Sequence, residues 1–349
     1  MYTAIEKNIV NQICNTNLPF HKLNKKKILI SGCNGFIASS FINTLIRVME
    51  IYGYKIKFYG IIRKGNFKIR DNLKELHKSK KLNIYKINLN EHIILNINPD
   101  ICFHTASITA PKDYIIKPSE TLLISSIGTI NLLNFSIKKK IDKFILLSSG
   151  EIYGNFDRSL KKKFNENNYG YIDPTKVSSN YSISKKFSEN ALICWSTQFN
   201  LFTNSIRLFH TYGPYMKLGD GRIHSDLVNN ARLNKNFIIK GNPEVKRCFC
   251  YISDAISGIL TVILKGKKNE CYNLANTKEM YKIKDIAKII LNNQTNRKLK
   301  IIFKKRKNIR NNFFYPTPSI FKLKKLGWEP KINASKGFSE TINFYKKIQ

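Results

Sequence analysis

The chain has 349 residues, of which 42% are hydrophobic, and a formal net charge of +37 at pH 7. This length and apolar content suit a globular protein with a full core, as one large α/β domain or two closely joined ones. No apolar run reaches the roughly 20 residues of a membrane-spanning helix, and the first residues lack the basic start and apolar stretch of a secretory signal, so we expect a cytoplasmic location.

The positive charge raises the question of a nucleic-acid partner. Lysines occur in nearly every segment and form no single basic arm, which favours solvated surfaces over a nucleic-acid site. The seven cysteines include no CxxC pair, and their odd number argues against a disulfide framework. Because the six histidines are scattered and form no cluster at metal-ligand spacing, the sequence predicts no metal site.

Short apolar segments alternate with helical patterns over the first 209 residues. Strands are predicted at 27–31, 55–62, 83–87, 100–104, 143–149 and 202–209. Helices are predicted at 37–52, 119–138 and 181–199. This alternation indicates βαβ units and hence an α/β fold, a Rossmann-type doubly wound parallel sheet whose ligands bind at the carboxyl ends of the strands. Residues 1–24 precede the first strand and are expected to pack as an added helix.

Beyond about residue 207 the pattern becomes less regular and predicts a smaller C-terminal substrate lobe over the strand ends. Helices are predicted at 222–234, 253–265, 283–293 and 335–347, with a strand near 270–275. Residues 294–312 are strongly basic and indicate an exposed strand and loop. The predicted division is an N-terminal extension at 1–24, a dinucleotide-binding Rossmann domain at 25–206, and a mainly substrate-binding lobe at 207–349 from which some segments return to the Rossmann domain.

A glycine-rich segment, SGCNGFIA at 31–38, follows the first predicted strand and opens the first helix. Gly32 permits the tight turn, and Gly35 lets the backbone approach a pyrophosphate placed on the helix N-terminus. Ala38 stands where a third glycine is usual, which a close helix–strand contact accepts. After the second strand, an acidic residue would hold the ribose of NAD, but the chain has Arg63, which favours the extra phosphate of NADP or faces solvent. These residues predict a dinucleotide and leave NAD and NADP open.

Tyr181 and Lys185 are four residues apart and therefore lie on one face of a predicted helix. A nearby ammonium and the positive nicotinamide ring lower the pKa of a phenol, so Tyr181 can act as a base near neutral pH. Ser149 ends a strongly apolar strand, where its hydroxyl could hydrogen-bond the reacting oxygen. The order of glycine-rich loop, strand-end serine and YxxxK predicts a catalytic site.

These motifs resemble those of the extended short-chain dehydrogenase/reductases, and within them the NAD-dependent nucleotide-sugar epimerases, dehydratases and decarboxylases. The resemblance covers nearly the whole chain beyond residue 25. It includes FHTAS at 103–107, SIGTINLL at 126–133, SSGEIYG at 148–154, RLFHTYGP at 207–214, KRCFCYISD at 246–254 and LGWEP at 326–330. It implies a homodimer that acts on a nucleotide-activated sugar in a redox-neutral cycle, which favours tightly bound NAD over NADP.

The resemblance also implies site residues. The implied cofactor-binding residues are Gly32, Gly35, Phe36, Ile37, Arg63, Asn88, Leu89, Ala106, Tyr181 and Lys185. The implied catalytic residues are Ser149, Glu151, Tyr181 and Lys185. The implied substrate-binding residues are His210, Arg247 and Tyr251. Two of these positions depart from the family pattern, because Asn88 replaces the usual adenine-side Asp and His210 replaces the usual Asn. We therefore expect the sugar or its orientation to differ from the standard case.

The resembling enzymes share one opening step, in which the tyrosine takes the proton of the sugar 4-hydroxyl while a hydride passes from C4 to the nicotinamide. Resembling dehydratases then use an Asp and a Glu after the serine or threonine. This chain has Gly150 and Glu151, which is closer to the UDP-glucuronate decarboxylases, and the segment TYGPYMKLGDGR at 211–222 also resembles theirs. By this resemblance Ser149 holds the 4-oxygen, Glu151 orients the sugar or moves a proton, and Arg247 binds anionic substrate groups.

The first hypothesis is therefore an enzyme like UDP-glucuronate decarboxylase. The nearest alternative is a nucleotide-sugar 4-epimerase or 4,6-dehydratase of surface-polysaccharide synthesis. A hypothesis from another class is a non-catalytic dinucleotide sensor or nucleic-acid-binding relative, suggested by the net charge of +37. The intact set of Ser149, Tyr181 and Lys185 argues against it, because a binding module does not need a tuned phenol.

Overall fold

The computed structural model describes residues 4–65, 69–156, 163–294, 298–304 and 316–347. The described helices are α1 (Ala4–Cys14), α2 (Phe36–Tyr52), α3 (Asp71–Lys78), α4 (Pro111–Ile116), α5 (Pro118–Ser125), α6 (Ile127–Lys138), α7 (Asn180–Phe199), α8 (Ile223–Arg232), α9 (Ile252–Lys265), α10 (Ile283–Asn292), α11 (Phe321–Lys325) and α12 (Ala334–Lys347). The described strands are β1 (Lys27–Ser31), β2 (Lys57–Ile62), β3 (Leu82–Lys86), β4 (Ile101–His104), β5 (Lys143–Ser149), β6 (Phe202–Leu208), β7 (Thr211–Tyr212), β8 (Phe237–Lys240), β9 (Lys246–Cys248), β10 (Cys250–Tyr251), β11 (Glu270–Leu274), β12 (Met280–Lys282) and β13 (Ile301–Lys304).

Seven strands form one sheet in the order β11-β6-β5-β4-β1-β2-β3. Every pairing in this sheet is parallel. The strand order reverses on either side of β1, which is the switch point at which such sheets bind ligands. The central strands are apolar on both faces, as Ile28, Leu29 and Ile30 of β1 are fully buried. This arrangement confirms the Rossmann-type doubly wound fold, because a parallel sheet covered by helices on both faces requires such continuous apolar runs.

The smaller lobe follows β6 in the chain. Its helices α8, α10 and α12 pack on one another, and its strands form the pairs β7–β10, β8–β13 and β9–β12. Two elements return to the large sheet: β11 pairs with β6, and α9 packs on both strands. The predicted boundary at residues 206 and 207 falls inside β6, so the two parts share a strand of the central sheet.

The N-terminal segment packs as an added helix, as predicted. The α1 side chains of Ile9, Val10 and Ile13 are buried, and α1 contacts both α2 and α9. The hydroxyl of Tyr215, in the smaller lobe, donates a hydrogen bond of 2.7 Å to Glu6 Oε1. The extension therefore joins the first helix of the Rossmann domain to the lobe.

Three short helices, α3, α4 and α11, were not predicted from the sequence, because 8, 6 and 5 residues are too few for a clear helical period. The segment predicted as one helix at 119–138 is divided at Ser126, whose ψ of −75° departs from regular helix geometry. Of the basic stretch 294–312, the strand β13 is largely exposed, and residues 295–297 and 305–312 lie outside the described residues.

Within the described ranges, no helix is both long and apolar enough to cross a bilayer. In the same ranges, no three His, Cys, Asp or Glu side chains are grouped so as to hold a metal ion.

Candidate active site

Two cavities open at the carboxyl ends of the large sheet. The first has a volume of about 670 Å³ and lies beyond β1, β2 and β3. The second has a volume of about 340 Å³ and lies between the sheet and the smaller lobe. Both are lined by Gly35, Thr105 and Ser107, so they are adjoining sections of one cleft. The cleft follows the switch point of the sheet, where a dinucleotide binds in this architecture.

The glycine-rich loop fits a pyrophosphate at the N-terminus of α2. Gly32 has φ +69°, and a Cβ there would stand 2.8 Å from the Cα of Ala106, so only glycine allows the loop to approach the end of β4. Gly35 caps α2 with an extended backbone, and Phe36 and Ile37 begin the helix and line the second cavity. The backbone N–H groups of this first turn lack helical partners and are suited to phosphate oxygens.

The first cavity contains the other predicted cofactor residues: Arg63, Asn88, Leu89 and Ala106. Asn88 is held by its own loop, since its Nδ2 donates to Glu91 Oε1 at 2.8 Å. Arg63 pairs with Glu120 at 3.1 Å, and both side chains are about half exposed. A carboxylate beside Arg63 opposes the binding of a further phosphate there, which favours NAD over NADP.

Tyr181 lies on α7 and Ser149 ends β5, and both line the second cavity. The phenol is 8% exposed, and its ring stacks on Tyr114 with 5.6 Å between centroids. Burial raises the pKa of Tyr181 to about 12, while a side-chain hydrogen bond with Ser149 and the charge of Arg222 act to lower this pKa. The structure therefore brings Tyr181 and Ser149 together, and their roles as base and hydrogen-bonding partner stay predictions.

Lys185 lies one turn after Tyr181 and lines the same cavity. It is 2% exposed, and its Nζ donates to the carbonyl of Leu147 at 2.9 Å. Burial lowers the pKa of Lys185 to about 8, so the side chain remains an ammonium at neutral pH. The charge of Arg222 also acts to lower the pKa of Tyr181, and the sequence analysis did not name this residue.

Glu151 lies in a short 3-10 turn directly after β5. Its backbone N–H donates to Ser149 Oγ at 3.2 Å, and its side chain is accessible from the second cavity, whose walls desolvate the carboxylate. Burial raises the pKa of this carboxyl group, and the charges of Arg247 and Arg222 oppose that shift. A Glu151 carboxyl with a raised pKa can hold and release a proton nearer to neutral pH.

The three predicted substrate residues have different positions. His210 lines the second cavity. Arg247 lines a separate small recess behind His210, and its Nη1 donates to the carbonyl of Lys246 at 2.9 Å. Tyr251 is fully buried, and its hydroxyl donates to Glu340 at 2.8 Å. The structure thus places Tyr251 in the core of the smaller lobe and outside the cavity wall, because β10 inserts between α9 and α12.

Sequence reasoning missed Arg222 and His224, which both line the second cavity. Arg222 directly precedes α8, where its guanidinium bonds Asp220 Oδ2 at 3.0 Å and the carbonyl of Thr109 at 2.7 Å. Arg222 ends the segment TYGPYMKLGDGR at 211–222, so the resemblance of that segment to the decarboxylases contained a signal for it. His224 carried no such signal, since it is an isolated histidine in a helical pattern.

Comparison with known proteins supplies the family. The sequence model of the NAD dependent epimerase/dehydratase family matches residues 28–275. The chain belongs to this family. Similar curated proteins include UDP-glucuronic acid decarboxylase 5 of Arabidopsis thaliana, 27% identical over 89% of this chain and 86% of the relative. Another is UDP-glucuronic acid decarboxylase 1 of Xenopus tropicalis, 26% identical over 93% of this chain and 73% of the relative.

Solved structures of epimerase/dehydratase enzymes share the fold. UDP-glucose 4-epimerase of Thermotoga maritima, with UDP-glucose, is 21% identical, has a TM-score of 0.77, and covers 92% of this chain and 99% of its own. The dTDP-glucose 4,6-dehydratase of Bacillus anthracis, in complex with NAD, is 22% identical, has a TM-score of 0.75, and covers 92% of this chain and 97% of its own. At these identities the likeness confirms the fold. The NAD dependence that the sequence predicts is confirmed by the family.

In this member of the epimerase/dehydratase family, a buried network fixes the catalytic helix. Arg207 of β6 is 2% exposed and binds both carboxylate oxygens of Glu189 on α7, with its shortest contact at 2.7 Å. Its Nη1 also donates to the hydroxyl of Tyr153 at 2.7 Å. Glu189 follows Tyr181 and Lys185 at four-residue spacing, so Arg207 holds the face of α7 that carries Tyr181.

Proposed function

We propose that this enzyme modifies a nucleotide-activated sugar through a 4-keto intermediate without net oxidation, and that its reaction is the decarboxylation of UDP-glucuronate. One observation carries the proposal: Ser149, Tyr181, Lys185 and Glu151 line one cavity that adjoins a dinucleotide cleft. A phenol, a hydroxyl, a buried ammonium and a proton-holding carboxyl are the groups that oxidation at C4 followed by loss of CO₂ requires. Relatives named UDP-glucuronic acid decarboxylase support the choice of substrate.

Tyr181 accepts the proton of the sugar 4-hydroxyl, and Ser149 donates a hydrogen bond to the same oxygen. NAD held by the glycine-rich loop and the N-terminus of α2 would supply the acceptor for the C4 hydride and the donor for the final reduction. The buried ammonium of Lys185 and the guanidinium of Arg222 add positive charge beside the phenol and so favour its deprotonated form. With a ketone at C4, the bond from C5 to the carboxyl carbon breaks, CO₂ leaves, and the electron pair moves into the ketone to form an enolate.

Glu151 completes the cycle by moving a proton. Collapse of the enolate requires a proton at C5, and the raised pKa of the Glu151 carboxyl allows it to carry that proton. The C4 ketone is then reduced, and Tyr181 returns the first proton to the oxygen. The cycle needs no external oxidant, because the hydride removed from C4 in the first step is returned to the sugar in the last.

The residue before Glu151 separates this reaction from 4,6-dehydration. A Cβ at Gly150 would stand 2.5 Å from Cε1 of Phe209, a ring that is 4% exposed. The Asp that resembling dehydratases carry at this position therefore does not fit unless Phe209 moves. This steric limit supports decarboxylation over loss of water.

We also propose that the enzyme is a homodimer that buries exposed apolar side chains of neighbouring helices. Helices α4, α5 and α7 pack on one another, and large apolar side chains on them are exposed: Ile115, Ile116, Leu122, Leu123, Phe187, Ile193 and Phe199. Ile116 is 75% exposed, so Ile116→Asp is expected to shift the protein to monomer in light-scattering measurements, and an unchanged mass would oppose this surface.

The cytoplasmic location and the part in surface-polysaccharide synthesis stay predictions.

Incubation of the purified protein with UDP-, dTDP-, GDP- and CDP-sugars, with products read by mass, tests the proposed reaction. UDP-glucuronate is expected to lose the mass of CO₂, and Tyr181→Phe is expected to form no product. An isomer of unchanged mass would identify an epimerase, and loss of water would identify a dehydratase. Absence of turnover for every sugar with NAD and with NADP would favour the binding-module hypothesis.

A further inference from the structure

Two histidines face each other in the wall of the second cavity. His210 follows β6 and His224 lies in the first turn of α8, and both line the cavity. Their ring centroids are 6.2 Å apart with an interplanar angle of 66°. Phe249 contacts both rings edge-on, at 6.1 Å from His210 and 6.0 Å from His224. Since Phe249 is 1% exposed, it holds the two imidazoles in fixed positions.

His224 has an unsatisfied polar atom at this site. The side chain is 2% exposed, and its Nδ1 is buried without a hydrogen-bond partner among the described residues. Buried polar atoms in native proteins nearly always have partners, so an orphaned one at a cavity wall indicates a group that arrives with a ligand.

The surrounding charges indicate which ligand group fits. Arg222 lines the cavity beside the histidines, and Arg247 lies in the recess behind His210. Glu151 contributes a carboxyl group to the lining of the same cavity. Burial and the charges of Arg247 and Arg222 lower the pKa of His210 well below its usual value, and burial and the charge of Arg222 lower that of His224 to about 3. Both imidazoles are therefore neutral hydrogen-bonding groups in a positive potential.

We propose that His210 and His224 form a subsite that binds the carboxylate of a uronic-acid sugar. The inference rests on the proposed function and deepens it by assigning sugar recognition to two residues. A carboxylate brings acceptor oxygens for the two rings and a negative charge that Arg222 and Arg247 attract, whereas a hydroxymethyl group brings no charge.

Neutral donors also suit a carboxylate that must leave as CO₂. A bidentate guanidinium would stabilise the ground-state carboxylate strongly, and that stabilisation is lost as the charge moves toward the C4 ketone. Imidazoles that stay neutral orient the carboxylate with weaker bonds. The two arginines act at longer range, because Arg222 is tied to Asp220 and Thr109 and Arg247 lies in the recess.

Binding by titration calorimetry tests the subsite in the NAD-loaded enzyme. The variants are His210→Asn and His224→Gln, each in a Tyr181→Phe background that prevents turnover, and the matched control is His21→Asn at an exposed position of the N-terminal extension. Each cavity variant is expected to weaken UDP-glucuronate binding about tenfold or more, the usual loss for a hydrogen bond to a charged group. Binding of UDP-glucose and UDP is expected to stay unchanged, as is all binding by the control.

A second measurement avoids any folding defect of the variants. The chain has six histidines, so ¹⁵N-imidazole spectra of the Tyr181→Phe enzyme, in which His210 and His224 are unchanged, resolve each ring. Signals of His210 and His224 are expected to shift with UDP-glucuronate and to remain in place with UDP. The subsite would be overturned if the imidazole signals did not shift with UDP-glucuronate, or if the variants kept the preference for UDP-glucuronate over UDP-glucose. It would also be overturned if the variants bound UDP as much more weakly as they bound UDP-glucuronate. If the wild type decarboxylates UDP-glucuronate but the histidine variants keep its preference for UDP-glucuronate over UDP-glucose, the proposed function holds and the subsite does not. If uronate binding depends on the histidines but no turnover occurs, the subsite holds and the proposed function does not.

Discussion

Replacing Gly150 by alanine tests why this chain lacks the acidic residue of the dehydratases. The added Cβ would stand 2.5 Å from Cε1 and 2.8 Å from Cζ of Phe209, whereas carbon atoms in contact prefer about 3.5–4.0 Å. Phe209 packs on Tyr153 and Phe164 at centroid distances of 6.3 and 6.2 Å, so its ring cannot turn aside freely. Overpacking of this kind lowers the free energy of unfolding by about 1–3 kcal/mol.

A double-mutant cycle isolates the steric contact. Gly150→Ala, Phe209→Leu and the double variant are unfolded in urea and followed by circular dichroism. Leucine removes the ring atoms that the new Cβ meets, so Gly150→Ala is expected to cost less in the Phe209→Leu background, with a coupling of roughly 0.5–3 kcal/mol. Strictly additive free energies, or a neutral Gly150→Ala, would refute the steric explanation.

Three further variants test the buried charges. Lys185→Met is expected to unfold at higher urea concentration than the wild type at neutral pH. This advantage in the free energy of unfolding should shrink by up to about 3 kcal/mol between pH 8 and 10.5, because the folded wild type has then released a proton that the unfolded chain retains. A difference that is independent of pH would contradict the lowered pKa of Lys185. Arg222→Gln is expected to move the rising limb of the kcat–pH profile to higher pH, because the pKa of Tyr181 loses a lowering charge, and superimposable profiles would oppose this. Arg207→Ala leaves Glu189 buried without its partner and is expected to lower the free energy of unfolding by about 3–5 kcal/mol; a loss below about 1 kcal/mol would show that the network is not structural.

The strands of the large sheet could be predicted because they are buried on both faces. β1 and β5 are nearly unbroken apolar runs. The glycine-rich loop follows β1, and Ser149 ends β5. The catalytic group could be predicted for a related reason. The end of β5 sets the position of Ser149, and one turn of α7 sets the spacing of Tyr181 and Lys185, so local periodicity was sufficient to select these residues.

Positions that depend on packing between distant segments could not be predicted. The charge of Arg222 acts on the phenol of Tyr181 because both side chains line one cavity, and this arrangement depends on how the smaller lobe packs over the sheet. Tyr251 lies in a motif that resembles a substrate segment, yet its hydroxyl bonds Glu340, 89 residues later. The orphaned nitrogen of His224 likewise exists only once Phe249 is packed against the ring.

Rapid mixing of the NAD-loaded enzyme with UDP-glucuronate tests the 4-keto intermediate most directly, by following the absorbance of reduced nicotinamide. The wild type is expected to show a transient rise and then a fall as the hydride is returned, with loss of CO₂ from the sugar. Tyr181→Phe is expected to show no rise, because the 4-hydroxyl then keeps its proton. Formation of product by the wild type with no reduced nicotinamide at any time would contradict the proposed chemistry.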